Sequence, residues 1–244
     1  MPVHSAPGLK ATTELSRLLP HVVVFRALDG GYVDGVEVDV QMTVDSVAVL
    51  FHDASLESSS NCTGFTQNFS FEELNNCRYR QSTHNERIIS LETILNRYKN
   101  HLTEFFLFLD IKLYDHQDQY YAARLIRSLG RLFRNYPTFA EKMIVQSGSS
   151  AFLTQVRHEI SGAVLMLKTD NFNDGYIVCS ELGLNGLVIT HKKINRAQVK
   201  QAHGLNLYIV LTDISSRGDA VNALRNNPDF VQTDNVSLMQ KILN

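Results

Sequence analysis

Two carboxylates and a histidine stand close together in a stretch that otherwise has the composition of β-structure. Glu37 and Asp39 lie two residues apart in GVEVDVQM, and His52 follows a second apolar run, VAVLF. Side chains alternate between the faces of a strand, so both carboxylates point the same way. Thr43–Ser46 is a predicted turn, and a simple hairpin centred between Asp45 and Ser46 would place His52 opposite Asp39. The pattern therefore predicts an imidazole beside two carboxylates.

A later apolar strand repeats this arrangement of charges. FFLFLDIKLYD carries Asp110 and Lys112 two residues apart, again on one face. Charges on a buried strand are costly unless they are paired or bind a metal. Three carboxylates without a cysteine suit a hard divalent cation, Mg²⁺ or Ca²⁺, and a neighbouring lysine suits a phosphate. Histidine transfers protons near neutral pH, so the set is typical of metal-dependent phosphodiester hydrolysis.

Each of these elements alone also has an ordinary structural explanation. A Glu-x-Asp pair can be a solvated face, an Asp-x-Lys pair a salt bridge at the end of a strand, and a His-Asp pair a surface loop. Their order, each after an apolar strand, favours one joint site.

The elements that position these residues alternate along the chain. Short apolar runs are followed by helix-like stretches, which predicts parallel strands joined by crossover helices. With a first strand at Pro2–His4 the count is eight, which predicts a single (β/α)8 TIM barrel over residues 1–244, with the site at the C-terminal ends of its strands. The other runs are Val36–Val40, Phe105–Ile111, Met143–Val145, Ala163–Leu167, Gly186–Ile189, Leu207–Leu211 and Phe230–Val231.

One polar segment interrupts the alternation. Asp53–Ser90 is too long for an ordinary barrel loop, which predicts a long loop insertion after the second strand. Loops of this length usually act as lids or substrate walls. Its aromatic residues could border a lipid chain or pack on the barrel.

Composition excludes several classes of function. The formal net charge of −2 gives no bias toward nucleic acid or an anionic membrane. No apolar run reaches the roughly 20 residues of a membrane span, and no signal core is seen at the N-terminus, which favours a cytoplasmic protein. Cys62, Cys77 and Cys179 are predicted to be free thiols, with a Cys62–Cys77 disulfide as the alternative.

The stretch from Glu37 to Asp53, EVDVQMTVDSVAVLFHD, resembles the signature of the glycerophosphodiester phosphodiesterase family. The likeness extends through SLETILNRY, FLDIK, IVQSGSSAFL and FVQTDNVSLMQKIL, and so covers nearly the whole chain. The resemblance implies a (β/α)8 barrel, one divalent metal ion, and cleavage of a small glycerophosphodiester to glycerol 3-phosphate and an alcohol.

The resemblance also implies a role for each matching residue. Glu37, Asp39 and Asp110 would be the metal ligands, His52 an acid/base residue, and Lys112 the phosphate contact. Family members often have Glu where Asp110 stands, and the shorter side chain could lengthen one metal bond.

A second family histidine, in a His-Arg-Gly motif that ends the first strand, has two possible counterparts. If His21–Ala27 is the first strand, Phe25 replaces the histidine. If HVVVFRALDGG is instead the first helix, His4 is the catalytic histidine. The second alternative is favoured, because the first leaves fewer than the dozen or so residues that a parallel crossover needs.

Two departures from the family pattern leave two functions open. Ser5 and Ala6 stand in place of the Arg-Gly of the motif, and Leu211 in place of a tryptophan of the seventh strand. The first hypothesis is an active phosphodiesterase acting on a glycerophosphodiester or a lysophospholipid-like phosphodiester. The second is a catalytically impaired member that acts as a binding or regulatory module. The retained carboxylates favour the enzyme, because clustered carboxylates repel one another without a cation.

Overall fold

Nine strands form one sheet in the computed structural model, which describes residues 10–14, 28–29, 33–80, 85–99, 105–114 and 120–243. Eight of them are parallel, and β3 runs antiparallel to β2. β1 pairs with both β9 and β2, so the parallel strands form a closed, TIM-barrel-like ring. The strands are β1 (Lys10–Glu14), β2 (Gly35–Met42), β3 (Ala48–Leu50), β4 (Phe106–Ile111), β5 (Met143–Ser147), β6 (Val164–Lys168), β7 (Gly186–Thr190), β8 (Tyr208–Thr212) and β9 (Phe230–Thr233).

Helices follow the strands, as the alternation predicts. Several begin at a side chain that accepts a hydrogen bond from the first turn, as Ser149 and Asn171 do. Gly183 ends one helix with φ of +62°, a backbone conformation that glycine adopts without steric cost. The helices are α1 (Phe71–Leu74), α2 (Leu91–Tyr98), α3 (Tyr121–Asn135), α4 (Pro137–Ala140), α5 (Ser150–Glu159), α6 (Phe172–Leu182), α7 (Arg196–His203), α8 (Arg217–Arg225) and α9 (Val236–Leu243). Within the described residues, none of them is long and apolar enough to cross a membrane.

An apolar cluster fills the inside of the ring. The rings of Phe108 and Phe230 are 5.2 Å apart, although β4 and β9 are not neighbours in the sheet. A larger apolar cluster lies between the strands and the helices. The interior cluster takes one residue from each of six strands: Phe108, Ile144, Met166, Val188, Val210 and Phe230.

The interior becomes polar two residues further along each of these strands. Because side chains alternate between faces, these positions also point inward, at the C-terminal end of the ring. The six residues are Asp110, Gln146, Lys168, Thr190, Thr212 and Gln232. The inside of the ring is therefore apolar along its middle and polar at the C-terminal ends of the strands, and this polar end is called the mouth.

The first strand lies at neither of its predicted positions. Lys10–Glu14 occupies the place in the ring between β9 and β2, which corrects the prediction of a strand at Pro2–His4. Residues 1–9 and 15–27, and with them His4 and Phe25, lie outside the described residues. Leu28 and Asp29 are helical, in agreement with a helix at the end of HVVVFRALDGG.

The hairpin register differs from the predicted one by one residue. Val40 pairs with Leu50, and the Phe51 amide donates to the Asp39 carbonyl, so Phe51 rather than His52 lies opposite Asp39. The reason is a five-residue turn, closed by a hydrogen bond from the Thr43 amide to the Val47 carbonyl at 3.0 Å. A turn with an odd number of residues is centred on a residue, Asp45, rather than between two.

The segment after β3 is a compact unit. It contains α1 and two short 3₁₀ turns, and its own apolar cluster includes Phe51, Leu56 and Leu74. A Cys62–Cys77 disulfide closes it, so the prediction of free thiols is wrong for these two cysteines, while Cys179 is free and buried. Cysteine spacing alone could not show that the chain between them folds back on itself.

Candidate metal and phosphate site

Three buried carboxylates meet at the mouth of the ring. Glu37 and Asp39 lie on β2, and Asp39 is the register partner of Asp110 on β4. One oxygen from each lies within 4.8 Å of the others. Relative exposures of 1%, 5% and 3% for Glu37, Asp39 and Asp110 show that the group is almost fully removed from solvent. The structure thus brings the three predicted metal ligands together.

Two lysines supply the positive charge beside this cluster. Lys112 Nζ lies 2.8 Å from an oxygen of Asp39 and 2.8 Å from one of Asp110. Lys168 Nζ lies 2.6 Å from the same Asp110 oxygen. Together they provide the pairing that buried carboxylates require.

The pKa values show how unevenly this charge is shared. Burial raises the pKa of Asp39, and the opposing effects of Lys112 and His52 do not cancel the rise. Burial also acts to raise the pKa of Asp110, but Lys168 and Lys112 together outweigh it, so that pKa is lowered. Asp110 is the better stabilised anion of the two.

The donor set fits a hard divalent cation. All three ligands are carboxylates, which Mg²⁺ and Ca²⁺ prefer. When all five groups are ionised, three carboxylates and two ammonium groups leave one net negative charge. A divalent cation would reverse that sign and create a site that attracts a phosphodiester anion.

One buried side chain, that of Gln41, fixes the backbone of the loop that carries His52. Gln41 Nε2 donates to the carbonyl of Phe51 at 2.8 Å and to that of Asp53 at 2.7 Å. It therefore binds the backbone on both sides of His52. The histidine Nδ1 lies 2.9 Å from a carboxylate oxygen of Asp53, and its carbonyl accepts a hydrogen bond from the Tyr114 hydroxyl. This arrangement directs Nε2 away from Asp53.

The same glutamine connects His52 with the disulfide-closed segment. The Thr66 hydroxyl, between Cys62 and Cys77, donates to Gln41 Oε1 at 2.8 Å. Gln41 and Thr66 are both buried, so these bonds do not compete with bulk water. Packing of the segment is thereby coupled to the histidine loop.

The sequence prediction missed Lys168 and the inward glutamines, and it misplaced one residue. Lys168 could have been found by counting two residues on from Met166 along the same strand. Leu211, compared above with a family tryptophan, belongs to the apolar cluster between strands and helices, whereas Val210 belongs to the interior. Leu211 therefore faces the helix layer and is not placed to contact a substrate.

Fold and site together define a class: an α/β, TIM-barrel-like protein with an acidic, lysine-flanked cluster at the C-terminal mouth of its strands. Comparison with known families agrees. The sequence pattern of the glycerophosphoryl diester phosphodiesterase family matches residues 26–237. The chain belongs to this family.

Individual relatives are distant in sequence and close in fold. YhdW of Bacillus subtilis strain 168, named provisionally as a glycerophosphodiester phosphodiesterase, is 25% identical over 210 residues, 82% of each protein. A glycerophosphodiester phosphodiesterase from Parabacteroides distasonis superimposes with a TM-score of 0.79 at 19% identity, covering 96% of each chain. A phosphodiesterase of Oleispira antarctica, solved with its product sn-glycerol-3-phosphate, gives 0.81 at 15% identity, also over 96% of each chain.

Proposed function

We propose that this protein hydrolyses glycerophosphodiesters to glycerol 3-phosphate and an alcohol, with one divalent cation, Mg²⁺ or Ca²⁺, held by Glu37, Asp39 and Asp110. The observation that carries the proposal is the buried cluster of three carboxylates, with oxygens within 4.8 Å of one another, in a member of this family. When bound, the cation would polarise the phosphoryl oxygens and stabilise the negative charge that develops on them.

The lysines have a second role in this proposal. In the absence of a cation they neutralise Asp39 and Asp110. A cation on the carboxylates would compete for these oxygens and leave the ammonium groups available to the phosphate. Burial acts to lower the pKa of Lys112, but Asp110 and Asp39 outweigh it and raise that pKa, so the ammonium stays charged throughout the physiological range. Lys112 and Lys168 would then both bind and orient the phosphate.

Proton transfer is assigned to His52. Asp53 lies 2.9 Å from Nδ1, so its carboxylate can accept a hydrogen bond from the Nδ1 proton and leave Nε2 to transfer the proton of the reaction. We assign no second acid/base residue, because His4 was selected as the end of a first strand at Pro2–His4, whereas the first strand is Lys10–Glu14. The disulfide-closed segment after β3 would act as the wall beside the leaving alcohol, with a lysophospholipid-like phosphodiester as the alternative substrate.

The test is hydrolysis of sn-glycero-3-phosphocholine in the presence of Mg²⁺ or Ca²⁺. His52→Ala should lower kcat by roughly 10²–10⁴, the usual cost of losing a positioned acid or base. His158→Ala serves as the matched control, because His158 is exposed on α5 and should leave kcat unchanged.

The outcomes separate the two functions considered above. Wild-type hydrolysis with loss in His52→Ala supports the enzyme. A fully active His52→Ala refutes the assigned role of this residue. If the wild type hydrolyses no phosphodiester in either metal, the proposal of an active enzyme fails and the binding or regulatory module takes its place.

A further inference from the structure

Two buried glutamines meet across the inside of the ring. Gln146 lies on β5 and Gln232 on β9, four strands apart whichever way the ring is followed. Gln232 Nε2 donates to Gln146 Oε1 at 3.5 Å. A contact between opposite strands must cross the ring axis, so the pair spans the centre of the barrel.

The pair is the first polar level above the apolar interior. Ile144 and Phe230, two residues earlier on the same strands, belong to the interior cluster. Gln146 is also the register partner of Asp110, one of the three clustered carboxylates. The two amides therefore form a polar floor directly beside the proposed metal and phosphate site.

One donor of this floor has no partner. Gln146 is 1% exposed, and its Nε2 makes no hydrogen bond with any part of the chain that the structure describes. The contact at 3.5 Å is long for a hydrogen bond, so the bond between the amides is itself weak. An unsatisfied buried donor destabilises a protein, and an apolar residue here would avoid that penalty. A ligand oxygen would satisfy it.

The chemistry of the floor selects one part of the substrate. Lys112 and Lys168 provide charged donors for phosphate oxygens, which only accept hydrogen bonds. An amide pair offers both a donor and an acceptor, which matches a hydroxyl group. We propose that Gln146, together with Gln232, binds a hydroxyl of the substrate's glycerol moiety; this rests on the proposed function and assigns the glycerol side of the same site.

The experiment compares two ligands that differ in hydroxyl groups. Binding of sn-glycerol 3-phosphate and of n-propyl phosphate, which has the same carbon chain, is measured by calorimetry with Mg²⁺ present. Gln146→Met keeps much of the volume and removes the amide. It should weaken glycerol 3-phosphate by about tenfold, the effect of one lost hydrogen bond, and leave propyl phosphate unchanged. Ser147→Ala, on the opposite face of the same strand, should change neither affinity.

Two results would overturn the inference: Gln146→Met binding glycerol 3-phosphate as tightly as wild type, or losing both ligands equally. Gln232→Met repeats the comparison if Gln146→Met, which leaves the buried Gln232 donor without its acceptor, fails to fold. Hydrolysis of glycerophosphocholine is measured on the same samples. A wild type that binds glycerol 3-phosphate through Gln146 but hydrolyses nothing refutes the proposed function and leaves the inference standing. Unchanged binding by Gln146→Met in an active enzyme refutes the inference alone.

Discussion

Replacing Gln41 with leucine tests how His52, the proposed acid/base residue, is held in place. The side chain of Gln41 is fully buried and makes three hydrogen bonds, to the carbonyls of Phe51 and Asp53 and from the hydroxyl of Thr66. Leucine has a similar volume and can make none of them. The substitution therefore removes the hydrogen bonds with little change in packing.

The expected loss of stability follows from these contacts. At about 1 kcal/mol net for each of the three bonds, Gln41→Leu should cost roughly 3 kcal/mol. In a chain of this length that corresponds to a fall in melting temperature of about 6–12 °C. Thr66→Val, the control, removes one bond and leaves the two on either side of His52, so it should cost about 1 kcal/mol.

The kinetic effect distinguishes positioning from stability alone. If His52 transfers the proton, releasing the backbone on both sides of it should lower kcat by about 10², the effect of misplacing a catalytic group by about 1 Å. KM should change little, since no ligand of the phosphate is altered. Thr66→Val should keep kcat close to that of wild type. Denaturant unfolding and turnover of glycerophosphocholine give the two values, and a Gln41→Leu protein with normal kcat well below its melting temperature would refute the reasoning.

Three further predictions concern the metal site, the lysines and the disulfide. A divalent cation at 100 times its Kd should stabilise the wild type by about 2.7 kcal/mol, and Glu37→Gln should abolish most of that gain. A wild-type melting curve that does not change at millimolar Mg²⁺ and Ca²⁺ would contradict the site. Lys168→Met should lower kcat/KM by roughly 10–100-fold, because it removes a charged hydrogen bond to phosphate, whereas the control Lys193→Met breaks only an exposed pair with Asp170 and should not lower it. Equal kcat/KM values for the two variants would argue against a phosphate contact by Lys168. Replacing Cys62 and Cys77 together by serine should lower the free energy of unfolding, measured in urea, by about 3 kcal/mol, as expected for a closed loop of 15 residues. A wild-type unfolding curve that does not change in dithiothreitol would be evidence against this contribution.

Much of the fold could be predicted because its strands are regular. Glu37 and Asp39 on β2 and Asp110 on β4 are inward carboxylates of apolar strands, and the structure brings them together at the barrel mouth. The same alternation also places Lys168, which follows Met166 by two residues. That residue was missed because it ends a strand with no second charge to draw attention to it.

Other features depend on geometry that a local pattern does not carry. The first strand, KATTE, contains one apolar residue, Ala11, and is recognisable as a strand only through its pairing with β2 and β9. The hairpin register depends on the turn being centred on Asp45 rather than between Asp45 and Ser46, and Ser46 takes φ of +63° within it. The disulfide depends on the fold of a whole segment. Each of these is set by tertiary contacts, which override local propensity.

The central claim is that the clustered carboxylates make this protein a metal-dependent phosphodiesterase. The most direct measurement is release of sn-glycerol 3-phosphate from glycerophosphocholine by the wild type and by Asp39→Asn, each with Mg²⁺ or Ca²⁺ and each with excess chelator. Chelator should abolish turnover by the wild type and the added cation should restore it, whereas Asp39→Asn should show almost no turnover at any metal concentration. Wild-type turnover that is unaffected by chelator, or an Asp39→Asn protein as active as wild type, would contradict it.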